Sequence, residues 1–369
     1  MQSSLPGIFI ERGTNIKEVE YESYSTLFLS FTVGTQCINP IVLKSLSDIS
    51  KYSFLHESYM ITNAIKVYFE NGGKKLYILS QPQDDEILLN QEAYVKYLST
   101  KCDTIVDIET IVAVDLFRKN FSDDDNILIQ NILSDYCANS NRIYISDISK
   151  SIDKYVSGLY DTVAFYPWLK DKKQNIIPPS VVASALFNSV ALSENISVSI
   201  ANRVLNSIVE VEEDLSINKY EELYNKGITP ILDFREEGFK IWGVRTLNFS
   251  QEHFTYLNTL RVFRYIKRTL HQITRQYVFE PNSYDLKNRL TRTIRYFLFD
   301  LWKKGVLLGS SEDEAFVLIC DERNNSTDDH DAGRLNIDIA VAISKPLEFI
   351  TIRLNRVQED MDQANINIS

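Results

Sequence analysis

Short runs of hydrophobic residues at strand spacing, with every second residue on one face, lie near both ends of the chain, and such runs predict β-strands. The first run follows the turn dipeptide Pro6-Gly7, and the last follows Lys345-Pro346. The two predicted strands consist of Ile8, Phe9 and Ile10 at the start and of Phe349, Ile350, Thr351, Ile352, Arg353 and Leu354 at the end. A further alternation over 335–344 predicts a half-buried strand. A strand so close to a chain end needs a partner, so we expect the terminal strands to pair.

The middle of the chain alternates short apolar runs with helical patterns, as α/β proteins do. Apolar runs at 112–114 and 143–145 predict strands, and a helical pattern spans 127–136 between them. Upstream, apolar residues recur at helical spacing over 61–69, and Asn71-Gly72-Gly73 is typical of a helix end. These patterns predict a mixed α/β (α+β) fold.

Two amphipathic helices between residues 254 and 304 are the clearest helical prediction. In the first, the apolar stripe is accompanied by Arg261, Arg264, Arg268 and Arg275. In the second, we expect Asn282 to be the N-cap and Gly305 to end the helix. Its basic residues Arg289, Arg292, Arg295 and Lys303 fall opposite the apolar stripe. Few acidic residues lie among them, so the pattern predicts an exposed basic face that cross-turn ion pairs do not neutralise.

Size and composition are those of an ordinary globular protein. At 369 residues the chain exceeds the usual size of a single core, which favours two domains. Hydrophobic residues make up 44% and charged residues 24%. No signal peptide follows Met1, and the longest uncharged stretch, 180–193, is too short to span a membrane, so we expect assembly in the cytoplasm without membrane insertion. The four cysteines occur singly and predict no disulfide framework.

The net charge of −11 conceals an asymmetry along the chain. Residues 251–310 contain eleven Lys and Arg against four acidic residues, a local charge of +7 that leaves −18 for the rest. A basic segment in an acidic protein indicates an anionic partner at that place. One hypothesis is a nucleic-acid-binding module that uses the basic helices over 254–304, although a pI near 5.0 weighs against it.

Candidate catalytic chemistry is sparse. The sequence contains neither the glycine-rich phosphate loop nor the nucleophile elbow of hydrolases, and its four histidines do not pair at zinc-ligand spacing. Asp321, Asp328, His330 and Asp331 follow a predicted strand and could hold a divalent cation, as a metal-dependent hydrolase would. The intervening 324–327 is typical of a flexible turn, which favours a solvated loop. We therefore predict no enzyme, no metal site and no cofactor.

An ordered series of short motifs resembles the contractile tail sheath family of phages, R-type bacteriocins and extracellular contractile injection systems. The C-terminal motifs are 278–282 (VFEPN), Leu301-Trp302 with Gly305, Leu308-Gly309, 314–316 (EAF), 320–322 (CDE), 331–336 (DAGRLN) and 345–349 (KPLEF). Upstream motifs are 166–168 (YPW), 178–180 (PPS), 227–228 (GI) and 242–247 (WGVRTL). Each motif is weak, and their shared order makes the resemblance specific.

The resemblance implies a two-domain subunit: an N-terminal linking arm (1–20), an outer α/β domain (21–250), an inner tube-facing α/β domain (251–345) and a C-terminal linking strand and tail (346–369). It implies that the terminal strands pair with neighbouring subunits in a helical homopolymer, which contracts from a metastable extended state. The predicted tube-facing residues are Arg289, Arg292, Arg295, Lys303, Lys287, Arg264 and Arg268. Expected partners are an inner tube with an acidic outer surface, a baseplate and a cap protein, within a phage tail or a related particle assembled in the bacterial cytoplasm.

Overall fold

The computed structural model of the protein describes residues 24–118, 121–148, 161–247 and 255–345. In chain order, the strands are β1 (Ser25–Ser30), β2 (Ile41–Leu43), β3 (Leu76–Ser80), β4 (Ile108–Ala113), β5 (Ile143–Asp147), β6 (Thr162–Tyr166), β7 (Leu169–Asp171), β8 (Ile176–Ile177), β9 (Ile208–Val211), β10 (Ile228–Asp233), β11 (Phe239–Ile241), β12 (Phe316–Ile319) and β13 (Asp338–Val341). The α-helices are α1 (Tyr59–Glu70), α2 (Asp85–Leu88), α3 (Gln91–Cys102), α4 (Asp123–Asn139), α5 (Pro179–Ser193), α6 (Ile217–Asn225), α7 (Leu257–Arg275), α8 (Tyr284–Lys303), α9 (Glu312–Ala315) and α10 (Thr327–Asp331).

Eight of these strands form one sheet in the order β11-β10-β6-β5-β4-β1-β3-β2. Neighbours within the run from β10 to β3 are parallel, whereas β11 and β2 join the two edges antiparallel. Parallel strands require crossover connections that cover the sheet with helices. The α/β fold class that the alternating pattern predicted is therefore confirmed.

Both faces of this sheet are buried, as alternate residues of β1 show. Phe28 points to one face, where it joins a core with residues of α1 and α5. Leu27 and Leu29 point to the other face, where they join a core with residues of α3 and α4. Because side chains alternate along a strand, one apolar strand contributes to both cores. We call this sheet with its two layers of helices the body.

The helix ends that the glycines predicted are confirmed. Helix α1 ends at Glu70 with Asn71 as its C-cap, and Gly72 follows with a φ of +90°. A side chain is excluded there, because a Cβ on Gly72 would lie 2.5 Å from the Ser189 hydroxyl oxygen. Helix α4 is longer than the predicted 127–136, since it begins at Asp123 behind its N-cap Ser122.

The carboxylate of Asp147 lies at the end of β5 and closes the beginning of α5. It accepts hydrogen bonds from the backbone N–H of Ser180 at 2.7 Å and from its hydroxyl at 2.6 Å. The first turn of a helix favours negative charge. Burial outweighs this and raises the pKa of Asp147 to about 7.

A second, smaller unit follows the body and is built from α7, α8 and the antiparallel pair β12–β13. Its core contains Ile266, Leu290, Ile294 and Leu298 from the two helices and Phe316 from β12. We call it the C-terminal unit. The predicted 335–344 strand contains β13 but is longer than that strand, which covers Asp338–Val341.

Helix α8 has a different cap from the predicted one. Ser283 is the N-cap, and its hydroxyl accepts a hydrogen bond from the Leu286 N–H at 3.1 Å. The prediction of Asn282 was wrong by one residue. At the other end, Gly305 follows the C-cap Lys304 with a φ of +71°, so the predicted helix end is confirmed.

The predicted terminal strands, over 8–10 and 349–354, lie outside the described residues. In the part of the chain that the structure describes, no helix combines the length and the apolar character that crossing a membrane requires.

Candidate interaction surface

Helix α8 exposes a row of basic side chains because its apolar residues face inward at helical spacing. Leu286, Leu290, Ile294, Leu298 and Leu301 are buried in the C-terminal unit. The opposite side carries Arg289, Arg292 and Arg295, all exposed, together with Lys303 near the helix end. Lys287 is half-buried. The amphipathic pattern thus predicted the orientation of this helix, and these five residues define what we call the basic face.

Two arginines of the basic face pair with carboxylates. Arg289 donates to Glu280 at 2.6 Å and to Asp285 at 3.0 Å, and the hydrogen bond that Glu280 accepts raises the pKa of Arg289. Arg295 donates to Glu312 at 2.9 Å. The expectation that cross-turn ion pairs do not neutralise this face was therefore wrong for Arg289, whose partner Asp285 lies one turn earlier on α8, whereas the partner of Arg295 is not a cross-turn residue. Glu280 and Glu312 lie outside α8, so their proximity could not be read from spacing along the helix.

The remaining members of the basic face have weaker contacts. Arg292 is exposed and has no ion-pair partner among the described residues. The Lys303 ammonium lies 4.5 Å from the centre of the Trp302 ring and 5.2 Å from that of Phe299. A cation over an exposed aromatic ring is held by only about 0.5–1 kcal/mol. The side chains of Arg292 and Lys303 can therefore turn toward a partner with little loss of interaction energy.

The arginines of α7 are arranged differently, and Arg264, which the resemblance predicted to face the tube, does not lie on an exposed surface of the subunit. Arg264 is buried and forms a close ion pair with Asp161. Arg268 is half-buried, and its guanidinium donates to the backbone carbonyl of Asn141 at 3.1 Å. The physical reason is that α7 packs against the body, so the side of the helix that carries these arginines meets polar groups of the body.

Arg261 is the most enclosed charged residue of α7. Its guanidinium forms a bidentate pair with Glu109 on β4, at 3.0 and 2.6 Å, and both residues are buried. Sequence reasoning missed Glu109. A signal was available, because a carboxylate beside Ile108 and Ile111 in an apolar strand requires a buried partner.

Large apolar side chains are exposed near the basic face. Phe279, in the loop between α7 and α8, is fully exposed and has a φ of +72°. Val278, Tyr284 and Tyr296 are more than half exposed. A positive φ is a strained conformation for an aromatic residue, and exposed aromatics are enriched where proteins bind partners. The loop and α8 together thus present basic and aromatic groups on one side of the C-terminal unit.

The candidate metal ligands after β12, namely Asp321, Asp328, His330 and Asp331, do not come together around one point. Asp321 pairs with Arg323 at 2.6 Å, and this contact lowers the pKa of Asp321 to about 2. His330 Nε2 lies 3.1 Å from the backbone oxygen of Asn282, and Asp328 and Asp331 are exposed. Among the described residues, which include this cluster, no three His, Cys, Asp or Glu side chains are placed to hold a metal ion. The metal-dependent hydrolase hypothesis therefore gains no geometric support.

Comparisons with known proteins agree with this architecture. Residues 250–356 match the family model described as the phage tail sheath C-terminal domain. The tail sheath protein of Vibrio phage KVP40 is 28% identical over 153 residues, which are 42% of this chain. The match spans only 22% of the length of that relative.

Solved structures extend the likeness to nearly the whole chain. A chain of the anti-feeding prophage baseplate in its contracted state superposes with a TM-score of 0.80 at 19% identity, covering 97% of this chain and 100% of that chain. A chain of the PVC sheath complex, an extracellular contractile injection system in its contracted state, gives a TM-score of 0.75 at 22% identity and covers 98% and 99%. The fold is therefore that of contractile sheath subunits. The C-terminal part, in addition, matches the phage tail sheath C-terminal domain model, so the resemblance that the ordered motifs predicted is confirmed.

Proposed function

We propose that this chain is a structural subunit of a contractile sheath, which polymerises helically around an inner tube and contracts to propel it through a target envelope. The observation that carries the proposal is the shared fold: the body and the C-terminal unit together superpose on sheath subunits over 97–98% of the chain. The family match over residues 250–356 supports it independently. The relatives are structural proteins, so the proposed role is mechanical and includes no catalysis.

The proposal assigns a separate task to each part of the chain. Residues 21–250 form the outer domain, 251–345 the inner domain, and 1–20 and 346–369 the linking segments. We infer that strands over 8–10 and 349–354 add to sheets of neighbouring subunits, where main-chain hydrogen bonds supply affinity. The pair β12–β13 supports this inference, because it has no third strand within the described residues and an unpaired strand edge can accept another strand.

The basic face is the proposed contact with the inner tube. Arg292 and its neighbours would meet acidic groups on the outer surface of the tube, and Val278 and Phe279 supply apolar area beside them. Exposed ion pairs contribute at most about 1 kcal/mol each and weaken with salt. Contacts of this strength add up over many subunits, yet each can be released when the sheath contracts. The baseplate and a cap protein are the proposed partners at the two ends of the polymer.

Electron microscopy of the purified full chain, alone and co-expressed with a candidate inner-tube protein, tests the polymer. We expect striated tubes or stacked discs. Deletion of residues 1–18 should abolish them while leaving a folded monomer, because the linking segment is removed and the body is retained. If no polymer forms under any of these conditions and the deletion leaves association unchanged, the proposed function is wrong.

Neutralising Arg289, Arg292 and Arg295 to Gln tests the tube contact. Glutamine avoids repulsion with Glu280 and Glu312, which glutamate would introduce. We expect weaker retention on immobilised tube and a weaker dependence of retention on salt, with unchanged sheath polymers. The matched control neutralises the exposed Lys74, Lys172 and Lys173 of the body, which removes the same charge elsewhere. Equal retention of both triple variants would contradict the assignment of the basic face.

A further inference from the structure

The first turns of α7 hold the last described residues before the C-terminal segment. The backbone carbonyl of Ser344 accepts hydrogen bonds from Asn258 Nδ2 at 3.4 Å and from Thr259 Oγ1 at 3.3 Å. Asn258 also donates to the carbonyl of Ser197 at 3.0 Å, and both side chains are at least 95% buried. The root of the C-terminal segment is thus fixed to the N-terminal end of one helix.

The root of the N-terminal segment meets the same helix one turn further on. Tyr24 is the first described residue, and its ring centre lies 5.3 Å from the guanidinium carbon of Arg261. Burial raises the pKa of Tyr24 to about 12, and the nearby Glu109 carboxylate adds to this rise. Tyr24 also packs on the core of the C-terminal unit. Both chain ends therefore leave the described structure beside residues 258–261.

Arg261 fixes this turn of α7 to the body from three directions. It forms the bidentate pair with Glu109 on β4, and it donates from Nη1 to the carbonyl of Phe187 on α5 at 2.5 Å. Its guanidinium also lies 3.6 Å from the centre of the Phe187 ring. A buried bidentate pair allows one geometry, so it resists sliding in a way that exposed pairs do not.

Helix α7 also crosses from one core to the other at this point. Leu257 and Leu260 pack in the core of the body, whereas Val262 and Ile266 pack in the core of the C-terminal unit. Arg261 lies at the boundary. The contacts with both roots, the ion pair and the change of core therefore all fall within two turns of one helix.

We propose that residues 257–261 are a common anchor, through which a load on either terminal segment reaches the body by way of the Arg261–Glu109 pair. The proposal rests on the proposed function, in which neighbouring subunits hold these segments. Asn258, Thr259, Tyr24 and Arg261 are then positioning residues. They fix where each linking segment leaves the subunit, so a displacement of one segment is transmitted to the other.

Single-molecule pulling on the full-length monomer tests the anchor without requiring a polymer. One handle is attached at a terminus and the other at an exposed position of α4, so that each terminal segment is loaded separately. Arg261→Lys, which keeps the charge but loses the bidentate geometry, should lower the force of the first rupture in both geometries. Asn258→Ala combined with Thr259→Val should lower it only for the C-terminal geometry, and Tyr24→Leu only for the N-terminal one.

Hydrogen exchange on the same monomers provides a second readout. In the Asn258→Ala/Thr259→Val variant, the Ser344 carbonyl loses both of its side-chain donors. The Ala342 amide, which donates to the Ala315 carbonyl, and the Leu308 amide, which donates to the Ala342 carbonyl, should then exchange about tenfold faster, with unchanged exchange in β1 and β4. The matched control is Thr274→Val, which removes a threonine hydroxyl bonded within α7 itself, to the His271 carbonyl. That variant should behave as wild type in both measurements.

The outcomes separate the anchor from the proposed function. If Arg261→Lys lowers the rupture force in one geometry only or in neither, or if the Asn258/Thr259 variant matches the Thr274→Val control, the common anchor is wrong. Should Arg261→Lys fail to fold, Arg261→Met combined with Glu109→Gln takes its place, because it removes the pair without leaving a buried charge and should lower the rupture force in both geometries. A wild-type chain that forms no polymer would instead contradict the proposed function while leaving the pulling results interpretable.

Discussion

Helices α7 and α8 carry equal numbers of basic residues and place them in opposite environments. Each carries five Lys or Arg, over 19 and 20 residues respectively. In α7, Arg261 and Arg264 are buried and paired with carboxylates of the body. In α8, Arg289, Arg292, Arg295 and Lys303 are exposed, and only Arg289 and Arg295 of these four pair with carboxylates among the described residues.

The difference shows that the role of a basic residue is decided by what its helix packs against. Helix α7 lies against a sheet that provides Glu109, while α8 is covered on its apolar side only. A buried arginine without a partner is prohibitively unfavourable, so its carboxylate is a structural necessity. An exposed arginine has water as an alternative partner and is available for binding.

The strongest test of this contrast is Glu109→Gln. Arg261 would remain buried without a countercharge, so we expect the free energy of unfolding to fall by about 3–5 kcal/mol, measured by urea denaturation. The matched change on α8 is Glu312→Gln, which removes the partner of the exposed Arg295 and should cost less than about 1 kcal/mol. Equal losses of stability in Glu109→Gln and Glu312→Gln would contradict the contrast between α7 and α8. The double variant Arg261→Met with Glu109→Gln should recover part of the loss.

A second buried carboxylate, Asp147, sharpens the comparison, because its hydrogen-bond donors are the N–H and hydroxyl of Ser180 and no cation pairs with it among the described residues. Its pKa of about 7 lies above the value near 3.9 of an unfolded chain, so the folded state binds this proton more tightly. The stabilisation from this group is complete below about pH 4 and is lost as the pH rises to about 7, a change of about 2–4 kcal/mol.

Asp147→Asn should remove this dependence, and denaturation curves between pH 4 and 8 measure it. Ser180→Ala provides the control, because loss of its hydroxyl should raise the pKa of Asp147 further and extend the decline to higher pH. A wild-type profile that matches that of Asp147→Asn would show that burial does not perturb this carboxylate.

The cap of α8 yields a smaller effect. Ser283→Ala leaves the Leu286 N–H without its side-chain acceptor and should lower the free energy of unfolding by about 1 kcal/mol. Asn282→Ala is the matched change one residue earlier, and it should cost less because Asn282 makes only a 3.4 Å contact with the Arg334 carbonyl. Thermal denaturation would reverse our assignment of the cap if the asparagine variant were the less stable.

The smallest expected change is that of Arg292→Ala. This side chain is exposed and has no ion pair with the described residues, so the free energy of unfolding should stay within about 0.5 kcal/mol of wild type. Retention on the tube should nevertheless fall. A substitution that weakens binding without altering stability is what separates α8 from α7, and a loss of stability comparable to that of Glu109→Gln would remove the distinction.

Local patterns predicted the elements of the fold well, because periodicity and caps depend on neighbouring residues. The glycines after α1 and α8, the α/β order and the inward stripe of α8 all followed from spacing of this kind. The environment of Arg261 could not be predicted in the same way, since Glu109 lies 152 residues away and only the sheet brings it close. The cap of α8 was missed because Asn282 and Ser283 are both residues that favour the N-cap position. Only the folded backbone shows that the Ser283 hydroxyl accepts the hydrogen bond from Leu286.

The large sheet ends on each side in a strand of only three residues, β2 and β11, and β11 is bridged further by Val204 opposite Lys240. Such short edges offer little template for another strand. The most extensive sheet of one copy is therefore poorly suited to adhere to that of another copy. In the proposed polymer, cohesion then depends on parts of the molecule other than its largest sheet.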